Sequence, residues 1–294
     1  MFRILISGAS GLIGSALLRA LESSGNEVFR LVRHEADKAN EVQWDPMRPI
    51  PAKLVSGYDG VIHLSGENVA GRWNEAKKKR IRDSRVISTQ NLARALGEAQ
   101  VKPAAFVCAS AIGYYGRRGD VMLTEESGPG EGFLAEVCRE WEAAARVSEA
   151  GIRVVNLRIG IVLSRDGGAL EQMLLPFRLG LGGRIGSGRQ WWSWIHVSDL
   201  VGAVEHALQS DALRGAVNLT APTPVTNNDF TKALAEALHR PAVLPIPAFA
   251  ARLAFGELAD EGLLASARVS PHKLIQSGFV FQFPELRPAL KSLM

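Results

Sequence analysis

Short apolar runs alternate along the chain with segments whose apolar residues recur at helical spacing. The first run, residues 4–6, is rich in isoleucine and too short for a helix, which predicts a strand buried on both faces. Ile13, Leu17, Leu18 and Leu21 then fall on one face of a predicted helix. Because this strand–helix order repeats, it is typical of a parallel α/β sheet.

The same pattern predicts the remaining elements. Further strands are expected at residues 27–32, 42–44, 60–66, 104–110 and 152–159. Helices are expected at residues 74–98, 133–150, 170–179 and 229–239, with a mostly helical segment at 249–264 and a further helix that has Pro271 in its first turn. We therefore predict an α/β fold: a Rossmann-type, doubly wound parallel sheet followed by a small α/β substrate lobe.

Three glycines join the first strand to the first helix, with the spacing G-x-x-G-x-x-G. A tight turn here needs residues that tolerate positive φ, and a backbone without Cβ atoms can approach a diphosphate closely. The helix would direct its free N–H groups and positive dipole end at the phosphates. The alternative is a glycine-rich turn with no ligand, but the position between strand and helix favours a dinucleotide site. The contacts are predicted to come from Gly8, Ser10, Gly11, Leu12, Ile13 and Gly14.

The residue after the second strand bears on the choice of cofactor. In a dinucleotide fold, the end of this strand faces the adenosine ribose, where an acidic residue suits NAD and a basic residue accommodates the 2′-phosphate of NADP. Arg33 stands there, at about the expected distance of roughly 20 residues from the glycine motif. The alternative is a solvated arginine at a strand end. We predict NADP(H) as the cofactor.

The end of the fourth strand supplies more predicted cofactor contacts. It closes with Leu64, Ser65 and Gly66, where a cofactor could lie against the backbone. Arg85 on the following helix and Arg158 near the end of the sixth strand are candidates for holding a phosphate or a substrate anion. For Arg85, simple surface charge is the alternative interpretation.

Candidate catalytic residues follow the fifth strand. Ser110, Tyr114 and Tyr115 stand at its carboxyl end, where open α/β sheets bind ligands. For the two tyrosines, packing in the core or in the wall of the site is the alternative. Asp120 and Glu126 in the next loop could act as acids or bases if burial raised the pKa of the carboxyl group, and otherwise they are solvated loop residues.

Composition excludes several functional classes. The 294 residues are 47% hydrophobic and 22% charged, with a net charge of +4, which is ordinary for a globular enzyme. The basic cluster at residues 77–80 lacks interleaved aromatic residues, so a solvated helix face is favoured over nucleic-acid binding. No apolar run reaches the roughly 18 residues of a membrane span, and the first strand leaves no room for a signal peptide. Two cysteines predict neither a disulfide framework nor a metal cluster, so we expect a cytoplasmic protein.

Two histidines are interpreted as structural residues. His63 lies inside an apolar strand and is expected to be a core residue with satisfied hydrogen bonds. His196 and Asp199 stand where another helix begins, and Ser198 or Asp199 is expected near its N-cap.

A glycine-rich stretch at residues 182–189 contains two arginines and precedes Trp191, Trp192 and Trp194. Arginines on flexible backbone beside aromatic surface suit a ligand that carries both a phosphate and a flat ring. A glycine loop leading into a strand, with tryptophans in the core, is the equally weighted alternative.

These motifs resemble the extended short-chain dehydrogenase/reductase superfamily. More closely, the chain is similar to its atypical branch, known as epimerase-family or nucleoside-diphosphate-sugar epimerase-like proteins. The segments that carry this second resemblance are residues 71–73 (GRW), 82–85 (RDSR), 110–116 (SAIGYYG) and 218–222 (NLTAP). The resemblance spans nearly the whole chain and implies an NADP(H)-binding Rossmann domain at residues 1–165, to which part of 190–220 returns. It implies a substrate lobe and C-terminal domain formed mainly by residues 166–294.

One departure from the superfamily concerns catalysis. Extended members carry a Tyr-x-x-x-Lys pair on the helix after the fifth strand, in which tyrosine exchanges a proton with the substrate. The best alignment places Phe133 at the tyrosine position and Val137 at the lysine position, and neither side chain can transfer a proton. Proton transfer is worth roughly 10²- to 10⁴-fold in rate. The usual route of sugar-nucleotide epimerisation is therefore not predicted.

Two functional hypotheses remain. The first is an NADP(H)-dependent oxidoreductase or epimerase-like enzyme that acts on a small, nucleotide-linked or simpler substrate. Tyr114 or Tyr115 would then approach the nicotinamide, with Ser110 as a hydrogen-bonding partner. The second is a cofactor-binding sensor or partner-binding protein without turnover, which the departure at Phe133 and Val137 favours. The resemblance also implies a homodimer formed through the helices after the fourth and fifth strands.

Overall fold

The protein is described from a computed structural model, which covers residues 1–146 and 151–294. The strands of the central sheet are β1 (Arg3–Ser7), β2 (Glu27–Val32), β3 (Glu41–Gln43), β4 (Gly60–His63), β5 (Ala105–Ala111), β7 (Arg153–Ile159) and β11 (Gly215–Leu219). Shorter strands outside it are β6 (Met122–Leu123), β8 (Ile161–Leu163), β9 (Trp191–Trp192), β10 (Trp194–His196), β12 (Val225–Thr226) and β13 (Arg268–Val269).

Helices separate these strands along the chain. They are α1 (Leu12–Ser23), α2 (Glu75–Glu98), α3 (Phe133–Ala144), α4 (Gly168–Arg178), α5 (Val197–Gln209), α6 (Asn227–Leu238), α7 (Ala248–Phe255), α8 (His272–Gln276) and α9 (Leu286–Ser292). Short 3₁₀ turns occupy Ala52–Leu54 and Ile112–Tyr115, and a π-helical turn occupies Ala259–Leu263. Among the helices of the described ranges, none is both long and apolar enough to cross a membrane.

The central sheet has seven parallel strands in the order β3-β2-β1-β4-β5-β7-β11. Successive strands are added outward from β1 to β3, and the chain then crosses to the other side of β1 to form β4. The gap between β1 and β4 is therefore the point at which the direction of winding reverses, where open α/β sheets bind ligands. The predicted Rossmann-type fold is confirmed.

Helices cover both faces of this sheet, which explains why its strands are continuously apolar. On one face, α1 and α5 bury Leu17 and Val204 against the sheet. On the other face, α2 and α3 bury Leu96 and Trp141. A separate core, centred on Trp194 and Phe230, is formed mainly by α4, α6 and α9.

Side chains determine where several helices begin and end. Asn74 caps α2 by accepting a hydrogen bond from the backbone N–H of Lys77 at 2.8 Å. At the far end of α5, the buried guanidinium of Arg153 donates to the carbonyl oxygens of Ala207 and Leu208, both at 2.7 Å. These carbonyls lack partners within the helix, so Arg153 ties α5 to β7.

Most predicted elements agree with the structure within one or two residues. Strand β2 covers the predicted residues 27–32, and β4 ends three residues before the predicted boundary, at His63. Helix α3 ends at Ala144, and the last part of the helix predicted to reach residue 150 lies outside the described residues.

Two boundary predictions agree with the structure and one is wrong in detail. As predicted, His196 and Asp199 lie where α5 begins: His196 is the N-cap, its Nδ1 accepts from the N–H of Ser198 at 3.1 Å, and Asp199 lies in the first turn. The segment predicted to be mostly helical at 249–264 contains α7 and the π-helical turn, with a break at Gly256, where φ is 61°. Pro271 is the N-cap of α8 and does not lie within its first turn.

Candidate functional site

The glycine turn between β1 and α1 is closed too tightly for any side chain. Gly8 has φ of 74°, and a Cβ atom there would lie 2.8 Å from the carbonyl carbon of Leu64 and 2.9 Å from the nitrogen of Ser65. A Cβ atom on Gly14 would lie 2.8 Å from the Cα of Ala9. The motif therefore brings the ends of β1 and β4 into backbone contact at the reversal point of the sheet.

Helix α1 starts from this turn with its first amide groups uncapped. Its N-cap, Gly11, has no side chain to accept their hydrogen bonds, and no acidic residue lies in the first turn. Ser10 and Gly11 are exposed, while Leu12 and Ile13 are half-buried. The positive end of the helix thus faces an open surface, which is the arrangement that binds a diphosphate.

Arg33 follows β2 at the same edge of the sheet. Its side chain is exposed and makes no ion pair with any residue of the described ranges. The nearby acidic residue Glu41 is instead paired with Arg30, with 2.7 Å between Oε1 and Nη2. The cation of Arg33 is therefore available to a ligand.

The loop after β4 is held from behind by Arg85. The guanidinium of Arg85 donates to the carbonyl oxygens of Glu67 and Ile81, both at 3.0 Å, and stacks 5.1 Å from the centre of the Trp141 ring. Burial lowers the pKa of this guanidinium. A Cβ atom on Gly66 would lie 3.1 Å from its Cζ atom. Arg85 thus positions the loop that contains Leu64–Gly66, and its contact with a cofactor stays a prediction.

His63 is a buried core residue, as its sequence context predicts. Its Nδ1 atom lies 2.6 Å from the hydroxyl of Ser7, and its Nε2 atom lies 3.2 Å from the hydroxyl of Ser88. Complete burial lowers the pKa of the imidazole to about 3. The ring is therefore neutral at physiological pH and links β1, β4 and α2 below the glycine turn.

The predicted catalytic residues lie beside a buried ion pair at the carboxyl end of β5. Arg158 and Glu142 form two hydrogen bonds, from Nε to Oε1 at 2.8 Å and from Nη2 to Oε2 at 2.9 Å. The hydroxyl of Ser110 donates to the same Oε1 atom at 2.8 Å. Arg158 also donates to the hydroxyl of Tyr115 at 2.9 Å, and that hydroxyl donates to Asn218 at 2.7 Å. Burial acts against the charge of Arg158, but the contacts with Glu142 and Tyr115 outweigh it and raise the pKa of the guanidinium.

Two of the three predicted catalytic residues are sealed inside the protein. Tyr115 is 0% exposed and Ser110 is 2% exposed. Burial raises the pKa of Tyr115 to about 12, although Arg158 and Asn218 oppose this shift. The predicted hydrogen bond between Ser110 and a tyrosine is also wrong, because the hydroxyl of Ser110 is directed to Glu142.

Tyr114 differs from both of these residues. It is half-buried, and the Cζ atom of Arg158 lies 3.5 Å from the centre of its ring. This stacking fixes the ring against the buried ion pair. Within the described part of the chain, the hydroxyl of Tyr114 has no hydrogen-bond partner, and it is thus the predicted catalytic group that remains open to a ligand.

Sequence reasoning missed Glu142 and Glu125. Glu142 falls on the same face of α3 as Leu134 and Cys138, at a spacing of four residues, so a carboxylate within an apolar stripe was the available signal. The carboxylate of Glu125 accepts from the backbone of Asn218 at 3.0 Å, which no local pattern indicates.

Their neighbours among the predicted acids and bases are exposed. Glu126 is a surface residue, and Asp120 accepts a hydrogen bond from the indole N–H of Trp191 at 2.7 Å. The burial that an acid–base role requires is therefore not found at either residue.

Three tryptophans of the lobe divide into core and surface. Trp192 and Trp194 are buried in the core of the lobe, as one of the two interpretations predicts. Trp191 is half-buried, and the Cζ atom of Arg268 lies 4.3 Å from the centre of its ring. Asp199 accepts backbone hydrogen bonds from Gln282 at 2.6 Å and from residue 283, which supports its structural interpretation.

Comparison with known families agrees with this geometry. The model of the NAD-dependent epimerase/dehydratase family matches residues 4–219, from β1 to the last strand of the central sheet. The chain belongs to this family. A second model, of a domain of unknown function (DUF1731), matches residues 246–293. The epimerase/dehydratase match thus covers both β-strands that meet at the glycine turn and the edge that carries Tyr114.

Similar proteins are found in bacteria and animals. An epimerase family protein of Mycobacterium bovis is 44% identical over 290 residues, covering 98% of this chain and 96% of the relative. A crystal structure of the human epimerase family protein SDR39U1 with NADPH has a TM-score of 0.92 and 37% identity, covering 99% and 98% of the two chains. A nucleoside-diphosphate sugar epimerase from Corynebacterium glutamicum has a TM-score of 0.84 and 36% identity, covering 99% of this chain and 58% of the other.

Helix α3 carries Phe133 and Val137, the two residues that the sequence resemblance predicts at the positions of the catalytic pair. Phe133 begins the helix, with its ring 5.3 Å from that of Trp73 and 5.4 Å from the ammonium nitrogen of Lys78. Val137, one turn later, is buried. These two positions therefore contribute packing and no proton-transfer group.

Proposed function

We propose that the chain binds NADP(H) at the glycine turn and uses it as an oxidoreductase or epimerase-like enzyme on a small-molecule substrate. The observation that carries this proposal is the contact of Gly8 with the backbone of Leu64 and Ser65, beside the uncapped start of α1. The human relative crystallised with NADPH has the same fold at 37% identity, which supports the choice of cofactor. Nucleotide-linked sugars are one substrate class that the Corynebacterium relative suggests.

The cofactor site would be formed by α1 and Arg33 on one side of the glycine turn and by the loop after β4 on the other. The amide groups of α1 hold the diphosphate, and Arg33 pairs with the 2′-phosphate of the adenosine ribose. The backbone of Leu64–Gly66 lies along the cofactor, with Arg85 fixing this loop. Arg158 is buried and paired with Glu142, so its role in this proposal is to hold Tyr114. When bound, NADP(H) supplies or accepts the hydride.

Tyr114 is the proposed proton donor and acceptor. In this role its hydroxyl would exchange a proton with the substrate oxygen at the carbon where the hydride is transferred. Arg158 holds the ring in place, and Glu142 in turn holds Arg158 through two hydrogen bonds. Ser110 and Tyr115 support this assembly from inside the protein and touch no substrate.

The alternative is an NADP(H)-binding sensor or partner-binding protein without turnover. Specific observations favour it: Phe133 and Val137 contribute no proton-transfer group, and Ser110 and Tyr115 are buried. In that case Tyr114 is only a wall of the cofactor site. The predicted homodimer and the cytoplasmic location are compatible with both functions and stay predictions.

The two functions are separated by following NADPH absorbance with carbonyl compounds and sugar nucleotides. For an enzyme, Tyr114→Phe lowers turnover by roughly 10²- to 10⁴-fold while NADPH affinity is unchanged, because the ring and its stacking remain. Tyr58→Phe is the matched control, since it removes a tyrosine hydroxyl in a different core cluster and leaves Tyr114 and Arg158 in place. Tight NADPH binding without turnover on any compound supports the sensor.

Cofactor preference tests the site independently of turnover. Calorimetric titration of the wild-type chain should give a lower Kd for NADPH than for NADH. Arg33→Ala should raise the Kd for NADPH about tenfold and leave that for NADH unchanged, because a charge-assisted contact with a phosphate contributes roughly 1.5–3 kcal/mol. Equal affinities of the wild type and the variant for both cofactors would refute the role of Arg33.

A further inference from the structure

An acidic segment lies between α7 and β13 in the chain and contacts the nucleotide-binding domain. It comprises residues 256–263, contains the π-helical turn and carries Glu257, Asp260 and Glu261. We call residues 256–263 the latch. π-Helical turns are rare and occur frequently at functional sites. Each of its three carboxylates faces a positive group on the other domain.

Glu261 makes the most specific of these contacts. Its carboxylate accepts hydrogen bonds from the first backbone amides of α3, from Phe133 at 3.3 Å and from Leu134 at 3.0 Å. The residue before α3 is Gly132, at φ of 105°, where a Cβ atom would lie 2.8 Å from an oxygen of Glu261. Since Gly132 offers no side-chain cap, Glu261 caps α3 from a distant part of the chain.

The other two carboxylates extend the same contact. Glu257 pairs with Lys78 on α2, with 2.5 Å between Oε2 and Nζ. Asp260 lies 3.8 Å from Arg117 in the loop after β5, while Arg252 holds it at 3.0 Å from within α7. These side chains are partly exposed, so each pair contributes little to stability. The latch is therefore held against α2, α3 and the loop after β5 by individually weak contacts.

The opposite end of the latch is anchored to the substrate lobe. The carbonyl oxygen of Leu263 accepts from the side chains of Gln190 at 3.2 Å and Trp192 at 3.3 Å. One end of the latch is thus bound to the lobe, while its acidic part contacts α2 and α3.

The latch also touches the loop that starts at the predicted cofactor contacts. Residues 66–73 run from the end of the β4 segment to the start of α2. At the far end of this loop, Arg72 packs within 3.8 Å of a Cβ position on Gly256, and Trp73 packs against Phe133, which Glu261 caps. The loop is therefore held at one end by Arg85 and at the other by the latch.

We propose that the latch gates the exchange of NADP(H). While the acidic residues of the latch contact α2 and α3, the loop at residues 66–73 stays closed over the site. When these contacts break, the loop opens. This inference rests on the proposed function, because it places the cofactor beside Leu64–Gly66. A gate blocks entrance and exit alike. Weakening it therefore accelerates binding and release by the same factor and leaves the Kd unchanged.

The test is stopped-flow measurement of NADPH fluorescence with the full chain. Glu261→Ala should raise both the association and dissociation rate constants about 5-fold, because losing a helix cap of this kind costs about 1 kcal/mol. Glu261→Gln, which can still accept one amide hydrogen bond, should raise them less. Glu285→Ala is the matched control, since Glu285 begins α9 without capping it and should leave both rates unchanged.

Hydrogen exchange without cofactor provides a second readout. In Glu261→Ala, the amides of residues 133–136 and of the latch should exchange faster together, while those of α5 should not change. If Glu261→Ala does not fold, Lys78→Met takes its place, with an expected increase of about 2-fold in both rates.

Unchanged rates, or a raised Kd with an unchanged association rate, would overturn the latch. A wild-type chain that binds no NADPH would overturn the proposed function, and the gate with it.

Discussion

Two regions at the carboxyl ends of the strands in the central sheet are built in opposite ways. At the ends of β1 and β4, glycines bring backbone segments into contact and leave the amide groups of α1 without side-chain partners. At the ends of β5 and β7, the buried polar groups of Arg158, Glu142, Ser110 and Tyr115 satisfy one another. The first region has unused hydrogen-bond donors for a ligand, whereas the donors and acceptors of the second region bond to one another.

This difference separates binding from chemistry. A diphosphate requires donors that are already aligned, and the glycine turn supplies them without rearrangement. The polar network in the second region supports Tyr114, which is half-buried and stacks on Arg158. Substitutions in the first region should therefore reduce the affinity for NADPH, whereas substitutions in the second region should reduce the stability of the fold.

The largest expected effect comes from breaking the buried ion pair. Arg158→Met leaves the carboxylate of Glu142 buried without its partner, so we expect a loss of about 3–5 kcal/mol in the free energy of unfolding. Urea denaturation measures this loss.

The exposed pair of Glu236 and Arg287, at 2.9 Å, is the control for the buried pair. Glu236→Gln should change the free energy of unfolding far less than Arg158→Met, because solvent screens the exposed pair. Equal effects of the two substitutions would contradict the distinction between a network that supports the fold and a surface pair.

The next effect concerns affinity at the glycine turn. Gly8→Ala places a methyl group against the backbone of Leu64 and Ser65, and such overpacking costs about 1–3 kcal/mol, equivalent to a rise of up to roughly 100-fold in the Kd for NADPH. Calorimetric titration measures this change. Gly25→Ala is a close control, because Gly25 has φ of 75° against 74° for Gly8 but no atom within 4 Å of a Cβ position. If both variants bound NADPH like the wild type, close backbone approach would not be required.

A smaller effect should appear in the pH dependence of stability. The pKa of His63 falls from 6.5 to about 3 on folding, so below pH 6.5 the unfolded chain takes up a proton that the folded chain excludes. Acidification from pH 6.5 toward pH 3 therefore destabilises the fold, by about 1.4 kcal/mol per pH unit once the unfolded histidine is protonated. His63→Gln should remove this part of the slope in urea denaturation at several pH values. An identical slope in the variant would show that His63 is not neutral in the fold.

The sequence predicted residues that act within a short segment and missed residues that act on distant parts of the chain. Gly8, Gly14 and the buried strand with His63 belong to short segments whose period and spacing carry the information. Glu142, Glu125 and Glu261 act on partners that are 16, 93 and 127 residues away, respectively, at Arg158, Asn218 and Leu134. A pattern within one window contains no sign of such partners, so these residues were missed.

The sequence alone determined the order of strands and helices, the glycine turn and the family resemblance, because these depend on hydrophobic period and on backbone freedom at a few glycines. Only the tertiary structure decided that Tyr115 and Ser110 are buried while Tyr114 is half-exposed, and that Glu261 caps α3. Those features depend on which distant side chains meet when the sheet and the lobe pack, since burial and hydrogen-bond partners are properties of the assembled fold.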